Sequence, residues 1–203
     1  HGRPRGSRRR VRKLRSAMKL QPLTPDELGQ LVEIAERSIH QAVLGRQWHP
    51  DPIAYSARLR QPGAVFVTLR QHHRLRGCVG TLTATEPLVM AVADRAKAAA
   101  FDDPRFPGVR LGDLADLEVS VSVLSAPEPM AVNGVDELVA AIRPGVDGVV
   151  IEADRHHATF LPAVWDDLPH PQEFVDALWR KAGMTPGTWP DHAVASRYTA
   201  QNS

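Results

Sequence analysis

The stretch LEVSVSVL, Leu117–Leu124, decides the fold class. Leu117, Val119, Val121 and Val123 alternate with Glu118, Ser120 and Ser122. A period of two puts the apolar set on one face of a half-buried strand and the polar set on the other.

Working outward, the neighbouring stretches read as hairpin-linked strands between helices. A Pro62-Gly63 turn precedes a strand over 64–70, and QHHR leads into a second strand, LRGCVGTL, Leu75–Leu82. GVVIEADRHHATFL, 148–161, reads as two strands around a turn, and HAVASRY, 192–198, as an edge strand. Helical signals alternate with them. Thr24 is the candidate N-cap of the first helix, Pro25 fits its first position, and Glu27 completes a T-x-x-E capping box. Leu28, Leu31, Val32, Ala35, Ile39, Ala42 and Val43 form its apolar stripe, and Gly45 can end it. A short helical piece is expected over 53–59. EPLVMAVADRAKAAAF is a second helix, stopped by the two prolines of DDPRFPG. GVDELVAAIR is a short helix, and HPQEFVDALWRKAG, with Phe174, Val175 and Leu178 inward, is the last. Hairpin-linked strands among helices favour an α+β fold with a mixed or antiparallel sheet over a doubly wound one.

Composition bounds the function. At 203 residues and 43% hydrophobic, the chain can bury a real core as one domain with a smaller lobe. No apolar run approaches the roughly 18 residues of a membrane span, so no membrane partner is expected. One cysteine excludes an intrachain disulfide framework and any multi-cysteine metal site within the chain, and fits a reducing compartment. No H-E-x-x-H occurs, no metal site is expected, and neither cofactor nor oligomeric state can be read. Seven Arg and one Lys precede Met18; without those eight, 17 basic residues face 23 acids, so the body carries −6. Residues 1–17 therefore read as a basic disordered extension or upstream sequence, and 18–203 as the single domain. A salt-sensitive nucleic-acid role of that extension is the alternative. At 5% aromatic the body is too poor for a base-stacking platform, and nucleic acid is not the expected partner.

The candidate chemistry centres on Cys78. In an extended strand Arg76 and Cys78 share a face about 7 Å apart, and a guanidinium at that range favours the thiolate. Gly77 and Gly80 point to a bulge or to close approach of a backbone or ligand, and Thr81 adds a hydroxyl. Equally, a lone cysteine in an apolar strand is a small buried hydrophobe. Glu118 is a candidate general base if its face lines a cleft, and otherwise a solvent-facing carboxylate. Asp103 and Arg105 form either a cap-and-salt-bridge turn or the rim of a pocket. His72-His73 and His156-His157 are assigned to solvent-facing turns, and Trp165 and Trp179 to the core or to a contact between lobes.

Taken in order, FVTL, LRGCVGTL, AAAFDDPRFPGV, LEVSVSVLSAPEPM, GVDGVVIE, TFLPAVW and FVDALWRKAGM resemble the AMMECR family, and within it the prokaryotic A component of the AmmeMemoRadiSam system. The resemblance runs from Leu28 to Trp189. It implies an α+β fold of two unequal lobes with a cleft between them, and Arg76, Gly77, Cys78, Gly80 and Thr81 at the hallmark site. It implies a cytosolic protein encoded beside a Memo-like protein and a radical-SAM enzyme, and it names no reaction. Val79 stands where Ile is commoner, Leu82 where an aromatic is common, and Ala163 where a Gln is usual. Two readings compete. In one, the chain is an enzyme or an accessory component, with Cys78, Arg76 and Glu118 as catalytic candidates and Gly77, Gly80, Thr81, Asp103 and Arg105 as ligand-binding candidates. In the other it is a binding scaffold in which Cys78 is structural.

Overall fold

The computed structural model describes residues 22–203; the basic segment 1–17 and Met18 lie outside the described residues. Helix α1, Pro25–Val43, starts as its sequence dictates. Thr24 Oγ1 accepts from the Glu27 N–H at 3.2 Å, and Glu27 Oε2 accepts from the Thr24 N–H at 2.9 Å, so the capping box closes. Gly45 takes φ +70° just past the end, a conformation that costs a glycine little. Beyond it, the helical piece expected over 53–59 is only a 3-10 turn at Pro52–Ala54. Leu59 is fully buried but Ile53 is 79% exposed, so the segment lacks a continuous apolar stripe to sustain a longer helix.

Strands β1, Ala64–Gln71, and β2, Arg74–Thr81, form a hairpin. Its turn is His72-His73, both at positive φ, which matches the twist of a tight hairpin. Helix α2, Leu88–Phe101, follows, and then β3, Leu117–Leu124. β3 pairs with β1 along its whole length, from Ala64↔Leu124 to Gln71↔Leu117. The alternation read from the sequence is kept in three dimensions. Val65, Val67, Leu69 and Val121 are fully buried beneath α1 and α2, while Ser120 and Ser122 lie on the opposite, helix-free face.

The second half builds another sheet. Strand β4, Glu128–Pro129, and helix α3, Val135–Ala141, precede the hairpin of β5, Gly148–Ala153, and β6, His156–Phe160. Helix α4, Pro171–Lys181, leads to β7, Val194–Tyr198, and β8, Ala200–Asn202. The strand orders are β2-β1-β3-β8 and β4-β7-β5-β6, and all pairings are antiparallel. β7 therefore lies inside its sheet and not at an edge. The Met130 N–H and the short β4 close its outer side, and Ala195 is buried at 1% exposure. Helices α3 and α4 cover one face of this sheet. Phe174 stacks on Trp165 at 3.9 Å between ring centres, and Trp179 is fully buried.

The chain crosses between the sheets twice, from β3 to β4 and from β7 to β8. Ser125 and Thr199 tie the crossings together: the Ser125 N–H donates to the Thr199 carbonyl and the Thr199 N–H to Ser125 Oγ. A third apolar cluster joins the helix-free faces, with Ala64, Leu124, Val150 and Tyr198 at its centre and Phe66, Leu82, Leu161 and Ala200 around them. The helices lie outside, and the two sheets diverge from this joint. Among the described residues no helix is long and apolar enough to cross a membrane.

Candidate functional site

The site begins with β2, the outer strand of the first sheet. Its two glycines are there for space. A Cβ on Gly77 would stand 2.0 Å from the Ala99 carbonyl oxygen, so α2 lies directly on the strand. A Cβ on Gly80 would stand 2.2 Å from the Phe66 ring, which lies across the strand. Cys78 alternates onto the helix-free face, with Sγ 3.3 Å from Thr68 Oγ1. It is half-buried.

Because β2 is an edge strand, the Cys78 N–H points out of the sheet and needs an acceptor. Asp103 Oδ2 supplies it at 2.9 Å. Asp103 sits in the turn after α2, its side chain only 4% exposed, and Arg105 grips it through Nε at 2.9 Å and Nη2 at 2.7 Å. The Arg105 hydrogen bonds hold this carboxyl well below the usual carboxylate range, against the opposing effect of burial and with help from the Cys78 N–H. Asp103 and Arg105 are thus a cap-and-salt-bridge turn that also fixes the Cys78 backbone.

Arg76 leaves this group. The pairing shifts between Leu69↔Gly77 and Arg70↔Leu75, so Arg76 falls in an irregular step of the hairpin. Its guanidinium donates to the carbonyls of Pro107 and Gly108 and meets Asp113 at 3.4 Å, where it pins the 107–113 segment. Arg105 and Lys181 are two cations in electrostatic range of Cys78. Lys181 ends α4; its Nζ donates to the Thr159 carbonyl at 3.0 Å and lies 5.0 Å from the centre of the Phe160 ring. Glu118 is half exposed at the start of β3, 3.4 Å from His73 Nδ1 of the hairpin turn, with Arg70 opposite.

Beside this strand the diverging sheets enclose a cleft of about 610 Å³. Phe66, Gly80, Thr81 and Leu82 come from the first sheet and its exit, while Val150, Glu152, His157, Thr159 and Ser196 come from the helix-free face of the second. Gly80 lines the cleft, and Cys78 stands two residues away on the same face of β2. Thr159 belongs to both regions, since it lines the cleft and its carbonyl holds Lys181. The adjacent histidines are separated by strand alternation. His156 Nδ1 bonds the Ala182 carbonyl at 2.8 Å, while His157 lines the cleft with Nδ1 3.3 Å from Glu152 Oε1. Both begin β6, one position past the turn to which sequence reading assigned them. Thr68, Lys181 and Glu152 were not singled out from the sequence, and His157 was read only as a turn residue. Only the T-L-R pattern of β1 and the cation ending a helix hinted at the first two; cross-strand register alone pairs Glu152 with His157.

Fold and site define an α+β protein of two antiparallel sheets that together line a cleft, with a half-buried thiol on the strand that supplies Gly80 and Thr81 to it. The chain belongs to the AMMECR1 family, whose model matches residues 32–203. A protein of Methanothermobacter thermautotrophicus is 37% identical over 179 residues, covering 86% of this chain and 91% of the relative. Protein PF1979 of Pyrococcus furiosus is 36% identical over 189 residues, 87% of each chain. The crystal structure of the uncharacterised protein PH0010 from Pyrococcus horikoshii matches with a TM-score of 0.79 at 33% identity, covering 85% of this chain and 88% of that one.

Proposed function

We propose that the chain is an enzyme, or an accessory component of an enzymatic pathway, whose ligand enters the cleft and meets the Cys78 thiol. The observation that carries this reading is the set of neighbours around Cys78. The half-buried thiol is hydrogen-bonded to Thr68, its backbone N–H is held by Asp103, and Arg105 and Lys181 lie in electrostatic range, so positive charge stands beside the sulfur where a ligand would meet it. In this reading Gly80 and Thr81 form the wall that admits the ligand. Gly77, Asp103 and Arg105 hold the strand, and Arg76 acts on the loop beneath it. Glu118 belongs to the hairpin end of the sheet, and proton transfer falls to groups nearer the cleft. The resemblance noted above adds a Memo-like protein and a radical-SAM enzyme as partners and a cytoplasmic setting.

The test is alkylation. Native protein is expected to take up iodoacetamide at Cys78 at neutral pH faster than N-acetylcysteine does. A thiol that reacts only after unfolding overturns the reactive role. One observation favours a second reading, a binding scaffold: Arg76, Gly77 and Gly80 are each accounted for by packing alone. Under that reading Cys78→Ser keeps co-purification with the Memo-like or radical-SAM protein and keeps function in cells. Loss of cellular function with intact folding rejects it.

A further inference from the structure

We propose that the corner between Arg105 and Lys181, beside Cys78, is a receptor for an anionic group of the cleft ligand, a carboxylate above all. The inference deepens the cleft reading and rests on it, because the ligand enters the same cleft and approaches the same thiol.

The argument is one of geometry and charge. Lys181 comes from the second sheet's helix and Arg105 from the turn after the first sheet's helix, so each half of the chain supplies one cation. Arg105 is offset by Asp103, both of whose oxygens it engages. The remaining donors to the Asp103 carboxylate are the backbone N–H groups of Cys78 and Arg105. Lys181 has no carboxylate partner among the described residues. Its ammonium has three N–H donors. One is spent on the Thr159 carbonyl, and the Phe160 ring lies against the head group. Arg105 likewise keeps Nη1 free of hydrogen bonds among the described residues. With Cys78 as a neutral thiol, Asp103, Arg105 and Lys181 together carry a surplus of one positive charge.

Loss of water first, and the Arg105 charge in addition, lower the Lys181 pKa, whereas negative charge on Cys78 acts the other way. An anion arriving between the two cations relieves the same repulsion. The site therefore suits an anionic ligand whose reacting carbon lies next to its charged group. The adjoining cleft lining, with Phe66, Leu82 and Val150 among hydroxyl side chains, takes the uncharged remainder.

Two alkylating reagents separate charge recognition from thiol reactivity. Iodoacetate is anionic and iodoacetamide neutral. In both reactions the thiolate forms an S–C bond, the C–I bond breaks, and iodide leaves with the electron pair. The ratio of the two rates cancels the thiolate fraction. The native protein is expected to favour iodoacetate, relative to the same ratio for N-acetylcysteine, by roughly threefold or more. Lys181→Gln should return the ratio to that of N-acetylcysteine, and Lys181→Arg should retain the preference. Inorganic phosphate, against sodium chloride at equal ionic strength, should slow iodoacetate if the corner takes oxyanions generally. A phosphate effect that survives Lys181→Gln overturns the assignment. A native ratio equal to that of N-acetylcysteine, or one unmoved by Lys181→Gln, also overturns it and leaves the cleft reading standing. A Cys78 inert to both reagents until unfolding overturns the two together.

Discussion

Asp103 is the residue on which the site depends most. Its carboxylate satisfies the one outward N–H at Cys78 and is itself held by Arg105. A folded-state pKa depressed below the ordinary value gives stability that is present above about pH 4 and is lost as the pH falls toward the folded value. Asp103→Asn removes that charge. We expect a cost of about 2 kcal/mol at neutral pH, the scale of a charged hydrogen bond whose partner Arg105 is partly solvated. The variant should also show a flatter dependence of melting temperature on pH between about 5 and 3. Equal slopes in variant and wild type would show that another carboxylate governs acid unfolding. Asp103 and Arg105 were visible in the sequence as a turn. That the turn reaches a strand 25 positions earlier was not, because sequence distance says nothing about which N–H a buried carboxylate meets.

At the scale of the element, β2 is a strand thinned by two glycines for two different neighbours. Gly77 faces backbone, the Ala99 carbonyl of α2, which cannot move without displacing the helix. Gly77→Ala is expected to lower stability by about 1–3 kcal/mol, the range for overpacking a close contact. Thermal unfolding would then shift by several degrees. Gly80 faces only the Phe66 ring, which has rotamers to use. Gly80→Ala should cost less, and part of that cost should vanish in a Phe66→Leu background. A double-mutant cycle with no coupling would show that the two residues do not contend for the same space. The glycine pair was legible from spacing, since close approach is what a glycine in a strand signals. The direction of Arg76 was not, because one irregular step in the hairpin turned it from Cys78 to the 107–113 segment.

Across the whole molecule, the joint between the sheets sets the cleft. Tyr198 is its largest buried member. Its hydroxyl donates to the Phe160 carbonyl at 3.0 Å and shares a 2.8 Å hydrogen bond with Thr159 Oγ1. Burial pushes its pKa up to about 12, despite the Thr159 hydrogen bond. Raised above the unfolded value near 10, it contributes stability that is complete below about pH 10 and lost as the pH rises through about 12. In a Tyr55→Phe protein, where Tyr198 is the one tyrosine left, phenolate absorbance should appear only near pH 12 while the fold persists. Ionisation near pH 10 in a folded protein would contradict a sealed joint. Tyr198→Phe is expected to cost about 1–2 kcal/mol and to loosen the packing around Thr159, which also holds Lys181.

The sequence by itself determined the principal helices and strands and the class. Alternation in Leu117–Leu124, the Thr24–Glu27 capping box and the helical stripes act over a few residues, where periodicity and local hydrogen bonds decide, and each formed as read. The ordered motifs likewise carried the family. Tertiary structure decided the rest. It set β7 inside its sheet, separated His156 from His157, sent Arg76 away from Cys78 and brought Lys181 toward it, 103 positions along the chain. Such neighbours depend on how two sheets twist and meet at one joint, and no local pattern records where edge strands from different sheets converge.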